Sequence, residues 1–156
     1  MEPRVQVRRL CNGDARTVMT VFERLSERSR RARFNGPKPC LSFGELRQLA
    51  SVDRTRYALV AYVDGDPGPV AIARFVRDGS SAEIAFAVAD EYQRRGIGTI
   101  VARKLIVDAR AAGIDEVVAL LASNNRAAVA LLRRVLNAVE IGFEGPELSI
   151  RAAIAS

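Results

Sequence analysis

The chain has 156 residues, enough for one domain and too few for two of ordinary size. Hydrophobic residues make up 49% and charged residues 27%, a mixture that excludes intrinsic disorder and allows a buried core. The net charge of +6 is carried almost wholly by arginine, Lys38 and Lys104 being the only lysines, and arginine's planar fork favours a phosphate-rich ligand or a nucleic acid.

The opening M-E-P-R-V-Q-V-R-R-L has no apolar signal segment, and no apolar run reaches the length of a membrane span, so a cytoplasmic protein with no membrane partner is expected. There is no histidine, and Cys11 and Cys40 are the only cysteines, so neither a four-ligand zinc site nor a histidine triad can be assembled. No metal is expected, and both cysteines read as small buried apolar residues.

In chain order, Asp14 is placed to cap a helix carrying Val18, Val21, Phe22 and Leu25, which continues from Ser26 into S-E-R-S-R-R-A-R. That arginine run reads as a solvated face, or as a grip for an acidic surface or a nucleotide phosphate. N-G-P-K-P at 35–39 ends the helix, and Ser42 with Glu45 forms a capping box for a short helix to about Ala50, making the first third helical. The period then changes. Y-A-L-V-A-Y-V from Tyr57 and P-V-A-I-A-R-F-V, around D-G-D-P-G, read as hairpin strands in which Tyr57 and Tyr62 are structural residues. A third strand spans Ala82 to Ala89, a helix runs from Gly98 to Ala112 and stops at Gly113, and D-E-V-V-A-L-L-A is a further strand. Asn124 or Asn125 caps a helix to about Leu136, followed by strands at Ala138–Ile141 and Leu148–Ile150. Helices, hairpins, two β-to-α crossovers and a closing hairpin describe an α/β (α+β) domain with a mixed sheet and helices on both faces.

Between the third strand and its helix stands Y-Q-R-R-G-I-G, Tyr92 to Gly98. A P-loop reading fails for want of G-K-[ST]. A dinucleotide fingerprint is disfavoured because Val101 stands where its third glycine belongs and D-E-Y-Q-R-R intervenes after the strand, although Asp115 lies about where a ribose-binding acid would. In the remaining reading, Gly96 and Gly98 leave backbone bare, N–H groups of residues 94 to 99 point outward at a helix start, and Arg94 and Arg95 add charge: a pyrophosphate cradle.

Q-R-R-G-I-G resembles the Q/R-x-x-G-x-G/A signature of the GNAT family of N-acetyltransferases, and the order of elements over residues 57 to 136, including S-N-N-R-A-A-V-A-L-L-R-R-V, extends the match. R-A-R-F, L-S-F-G-E-L, V-D-R-T-R-Y-A-L-V-A and A-R-F-V-R-D resemble more narrowly the catalytic domain of bacterial protein-lysine acetyltransferases that modify acyl-CoA synthetases. Such proteins often carry a regulatory domain, and none is expected within this chain. The resemblance implies a GNAT fold with a mostly antiparallel sheet of six to seven strands. It also implies acetyl-CoA as acyl donor, held at Gln93, Arg94, Arg95, Gly96, Ile97, Gly98 and Thr99, with Asn125 on the pantetheine arm or serving only as a cap. Arg33 and Phe34, in the resembling segment, become substrate-loop candidates. The implied acceptor is a protein lysine, as on an acyl-CoA synthetase, and the chain acts as a monomer or homodimer.

An amine attacks a thioester only as the free base, and a lysine ammonium has a pKa near ~10.4, so a proton acceptor is needed. Strand alternation puts Glu83, Ala85, Ala87 and Ala89 on one face and Ile84, Phe86 and Val88 on the other, so a carboxylate stands on a face made open by alanines. The family's base often occupies this position; the alternative is a solvated glutamate at a strand start. A backbone N–H among Phe86, Ala87 and Val88 is expected to stabilise the thioester oxygen. Leu132 stands where many relatives have a tyrosine acid, and L-N-A-V replaces their G-F. That departure keeps open a non-catalytic acyl-CoA sensor, beside a small-molecule amine acetyltransferase; nothing but basicity favours a nucleic-acid binder, and none is expected.

Overall fold

The computed structural model describes residues 4–34 and 36–154. Strands β1 (Val5–Arg9), β2 (Arg56–Val63), β3 (Pro69–Asp78), β4 (Ser81–Val88), β5 (Glu116–Ala122), β6 (Glu140–Glu144) and β7 (Glu147–Ala153) form one sheet in the order β1-β2-β3-β4-β5-β7-β6. Every pairing is antiparallel except β4 with β5. Helices α1 (Ala15–Glu23), α2 (Glu27–Phe34), α3 (Phe43–Leu49), α4 (Ile97–Ala111) and α5 (Arg126–Val135) cover it.

Alternation along the strands feeds two cores. On β2, Leu59 and Ala61 face a cluster with Ile97, Val101 and Leu105 of α4 and Leu132 of α5, whereas Ala58 and Val60 face Val18 and Phe22 of α1. The sheet therefore has helices on both faces, as expected.

Four expectations need correction. V-Q-V-R-R is a strand, β1, so the first third is not wholly helical. Its alternation is visible in the residues, but pairing along β2 supplies the hydrogen bonds that a five-residue edge strand cannot make alone. The first helix is two: the Arg24 and Leu25 amides turn back to Val21 and Phe22, and the Ser26 hydroxyl accepts from the Ser29 N–H, restarting the chain as α2. Cys11 and Cys40 are exposed free thiols on connecting segments, not buried ones. The helix after Q-R-R-G begins at Ile97, with Gly96 as its N-cap. Asn35, first residue of the N-G-P-K-P break, lies outside the described residues.

The other boundaries fall close to their expected places. Asp14 caps α1, Ser42 and Glu45 form the capping box of α3, Asn125 caps α5, and Gly113 follows α4 at φ 85°. Tyr57 stacks on Phe75 with centroids 5.0 Å apart, and Tyr62 lies under Arg8, both in structural roles.

Candidate active site

Strands β4 and β5 pair only over Ser81–Glu83 and Glu116–Val118, after which β4 follows β3 and β5 follows β7. A wedge opens between them. Ala89 N–H donates to Val70 O at 2.8 Å, and since bonded pairs alternate along an antiparallel ladder, Ile72–Ala87 and Arg74–Ala85 are also bonded pairs. The Ala87 amide is thereby committed to β3, whereas the Phe86 and Val88 amides face the wedge. Of the three expected oxyanion donors, geometry leaves Phe86 and Val88. The Val88 carbonyl is engaged by Gln93 Nε2 at 2.9 Å, and the same nitrogen reaches Ser29 Oγ at 3.0 Å. Gln93 thus binds the end of β4 to α2.

At the wedge mouth the chain turns through a 3₁₀ turn, Asp90–Tyr92, into Gln93–Gly96 and α4. Arg94 at φ 64° and Gly96 at φ 82° both adopt the left-handed conformation, Arg94 being the one non-glycine among the described residues to do so. Successive residues of this kind turn main-chain N–H groups toward a common concavity. None of the N–H groups of residues 94 to 99 donates to a protein acceptor among the described residues, and α4 has no side-chain cap, in contrast to α1, α3 and α5. Arg94, Arg95 and Gly96 are exposed; Gly98 and Thr99 are half-buried, while the Ile97 side chain is wholly in the core, so Ile97 can offer a ligand only its amide. A Cβ on Gly96 would meet nothing within 4 Å, but one on Gly98 would stand 3.5 Å from Val88 Cγ2 and 3.6 Å from Leu131. These are ordinary packing distances, so Gly98 lies where α4 meets β4 and α5 and away from the open side of the loop.

This loop is held by a network that the linear pattern does not show. Arg24, at the C-terminus of α1, reaches Asp66 in the β2–β3 turn at 2.6 Å and Glu91 at 2.5 Å, and Tyr92 Oη donates to Asp66 at 2.8 Å. The Arg24 guanidinium, with the Gly68 amide and Tyr92 hydroxyl, holds the Asp66 carboxyl well below the usual range. Asp90 accepts from the Ser26 N–H at 2.8 Å. Bends from three parts of the chain are fastened behind the cradle.

Glu83 is exposed and stands on β4 opposite Val76, at the point where β5 departs. Ala85 and Ala87, on its face, line a cavity of about 30 Å³ roofed by α1 and α2. Arg33 and Phe34 of α2 line the same cavity, so the strand carboxylate and the substrate-loop candidates share one face. Phe34 packs edge-on against Phe22 at 5.8 Å, and Arg30 stacks over Phe22 at 4.2 Å. The arginine run is therefore divided: Arg28 and Arg31 are exposed, whereas Arg30 and Arg33 turn inward. Asn125 Oδ1 accepts from the Ala128 N–H at 3.2 Å, which uses its oxygen as the cap and leaves its amide N–H groups for another partner. Leu132 is fully buried in the main core, so the usual tyrosine position carries apolar packing here.

Sequence reasoning missed Arg74, which enters the cavity from β3; its one signal was a charge inside the apolar run A-I-A-R-F. It also missed Arg24, Asp66 and Tyr92, ordinary surface types that only the fold brings together.

A sheet split beside a helix start with free amides makes a main-chain site suited to an anionic ligand. Residues 22–137 match the acetyltransferase (GNAT) family, and the chain belongs to it. Among known proteins it is similar to acetyltransferase Pat of Mycolicibacterium smegmatis, with 38% identity over 94 residues, 58% of this chain and 28% of the relative. The chain thus spans well under half the length of that curated relative. The structure superposes on the GNAT domain of the S. lividans PAT with a TM-score of 0.86 at 24% identity, covering 96% of this chain and 90% of that one. It also superposes on a variant of the cAMP-binding acyltransferase from Mycobacterium smegmatis, with a TM-score of 0.65 at 27% identity, covering 100% of this chain and 47% of the other.

Proposed function

We propose that this chain transfers an acetyl group from acetyl-CoA to an amine, with a protein lysine as acceptor and Glu83 as general base. The observation that carries the reading is the wedge beside the uncapped start of α4, which aligns a main-chain anion site, two wedge-facing amides and a strand carboxylate. Acetyl-CoA supplies the activated acyl carbon. The amides of residues 94 to 99, with Arg94 and Arg95, are suited to its pyrophosphate, and the Asn125 amide to the pantetheine arm. Phe86 or Val88 N–H stabilises the oxyanion that forms as the amine adds. Glu83 removes the proton that the attacking nitrogen must lose, directly or through one water. The C–N bond forms in that addition; collapse of the oxyanion then breaks C–S, and the departing thiolate takes up a proton to leave as coenzyme A thiol.

With leucine at the usual acid position, no tyrosine protonates the thiolate, which water at the open wedge can do. The similarity to acetyltransferase Pat, together with the resemblance of R-A-R-F, L-S-F-G-E-L and the neighbouring segments, supports the protein-lysine acceptor, and the acyl-CoA synthetases are the substrate class to try first. Radiolabelled acetyl transfer to candidate proteins tests the reading, with Glu83→Gln expected to lower turnover roughly 10²- to 10⁴-fold at unchanged coenzyme A affinity. Undiminished turnover removes Glu83 from this role. Coenzyme A binding with no transfer to any amine would favour a non-catalytic sensor, the reading that Leu132 keeps in play.

A further inference from the structure

The cavity on the Glu83 face is lined almost entirely by carbon, from Val18, Phe22, Ile72, Ala85 and Ala87 among others, yet two guanidinium groups enter it. Arg74 is 8% exposed, and its single hydrogen bond among the described residues runs from Nη1 to the Leu49 carbonyl at 3.2 Å, leaving most of its five N–H donors free for another partner. Arg33 lies 4.9 Å over the Phe34 ring and makes no hydrogen bond or ion pair among the described residues. Arg24, by contrast, is paired with both Asp66 and Glu91. Arg33 and Arg74 have no carboxylate within ion-pair distance among the described residues, and their free nitrogens stay accessible to a partner.

Electrostatics point the same way. Burial lowers the Arg33 guanidinium to about 10, with the Arg74 cation acting in the same direction and Glu83 opposing. Burial lowers Arg74 as well, with Arg56 adding to it. Glu83 acts on Arg33 through space with no ion pair between them, which leaves both guanidinium groups able to take an anionic partner.

Position gives that anion a chemistry. Arg74 is the register partner of Ala85, two residues along β4 from Glu83 and on the same face, a separation of roughly 7 Å. The cavity's free volume of about 30 Å³ holds a group the size of one or two waters, which suits a carboxylate. We propose that Arg33 and Arg74 form a carboxylate-recognition site beside Glu83, so that either the acyl donor is a dicarboxylic monothioester or the acceptor amine carries its own carboxylate. This inference rests on the acyltransferase reading above and replaces either acetyl as the acyl group or protein lysine as the acceptor.

The test has two arms on the full chain. Calorimetric titration compares coenzyme A, acetyl-CoA, butyryl-CoA and succinyl-CoA. If the donor carries the carboxylate, succinyl-CoA binds about tenfold or more tightly than its neutral counterpart butyryl-CoA, and Arg74→Met and Arg33→Gln each erase the difference. If the acceptor carries it, donors show no such preference, while acetyl transfer favours 4-aminobutyrate over butylamine by a similar factor that the same variants erase. Should Arg74→Met fail to fold by thermal denaturation, Arg33→Gln and the charge-retaining Arg74→Lys decide the matter. Coenzyme A binding with no carboxylate preference in either arm overturns the inference and leaves the acyltransferase reading standing. No heat with coenzyme A itself overturns both.

Discussion

Arg94 holds a left-handed backbone that a side chain normally avoids, and replacing it by glycine separates what the loop costs from what it binds. For an L-residue this conformation costs about 1–2 kcal/mol, which glycine does not incur, while glycine adds roughly 0.4–1 kcal/mol of unfolded-chain entropy. The Arg94 side chain is exposed and has no ion-pair partner among the described residues, so little else is lost on the folded side. Arg94→Gly should therefore stabilise the free protein by about 0.5–1 kcal/mol, a rise in Tm of roughly 1–4 °C for a chain of this size. Losing a guanidinium beside the anion site should at the same time weaken coenzyme A binding roughly three- to tenfold. Gly96→Ala is the mirror experiment: the added Cβ meets no neighbour, so a loss of about 1–2 kcal/mol would come from φ 82° alone. Differential scanning calorimetry and titration with coenzyme A read both quantities. A lower Tm for Arg94→Gly, or unchanged affinity, would refute the idea that strain at this loop is retained for binding.

Asn125→Asp keeps a good cap on α5 but removes the amide donors, so Tm should hold while coenzyme A affinity falls; a fall in neither shows that Asn125 only caps. Asp66, whose carboxyl lies below the usual range in the fold, contributes stability that is complete above the unfolded carboxylate pKa of about 3.9 and is lost as pH falls through the folded value. Asp66→Asn should flatten the acid side of the Tm-against-pH curve below about pH 4 and loosen the loop that Arg24 and Tyr92 share with it; an unaltered acid limb would show that the pair contributes nothing. Leu132→Ala should cost about 2–5 kcal/mol in urea unfolding, as befits a side chain with no exposure in the main core, and a cost under 1 kcal/mol would show that the site collapses around the gap.

Local chemistry already present in the amino-acid order settled a large part of this protein. Caps at Asp14, Ser42 and Asn125, the stop at Gly113 and the alternation from Glu83 to Val88 depend on residues within a few positions of each other, so their outcome is readable without the fold, whereas Ala89, past the strand's end, turns into the main core instead of sharing the Glu83 face. Q-R-R-G-I-G belongs with them, because a glycine cap and free amides at a helix start need only the chain that surrounds them. The break at Ser26 fell just past Leu25, the last apolar position of the α1 period, and left no mark of its own, since a serine can sit within a helix or begin one and only the amide it meets decides.

What tertiary structure alone decided is which distant groups share a space. The wedge exists because β4 leaves β5 after Glu83, and that register also commits the Ala87 amide to β3 while freeing Phe86 and Val88. Arg24, Asp66 and Tyr92 meet across separations that no periodic pattern records, and Arg74 faces Arg33 only because α2 folds back over β3 and β4. Burial of a charge is set by what packs around it, and a one-dimensional pattern carries no account of that surrounding volume.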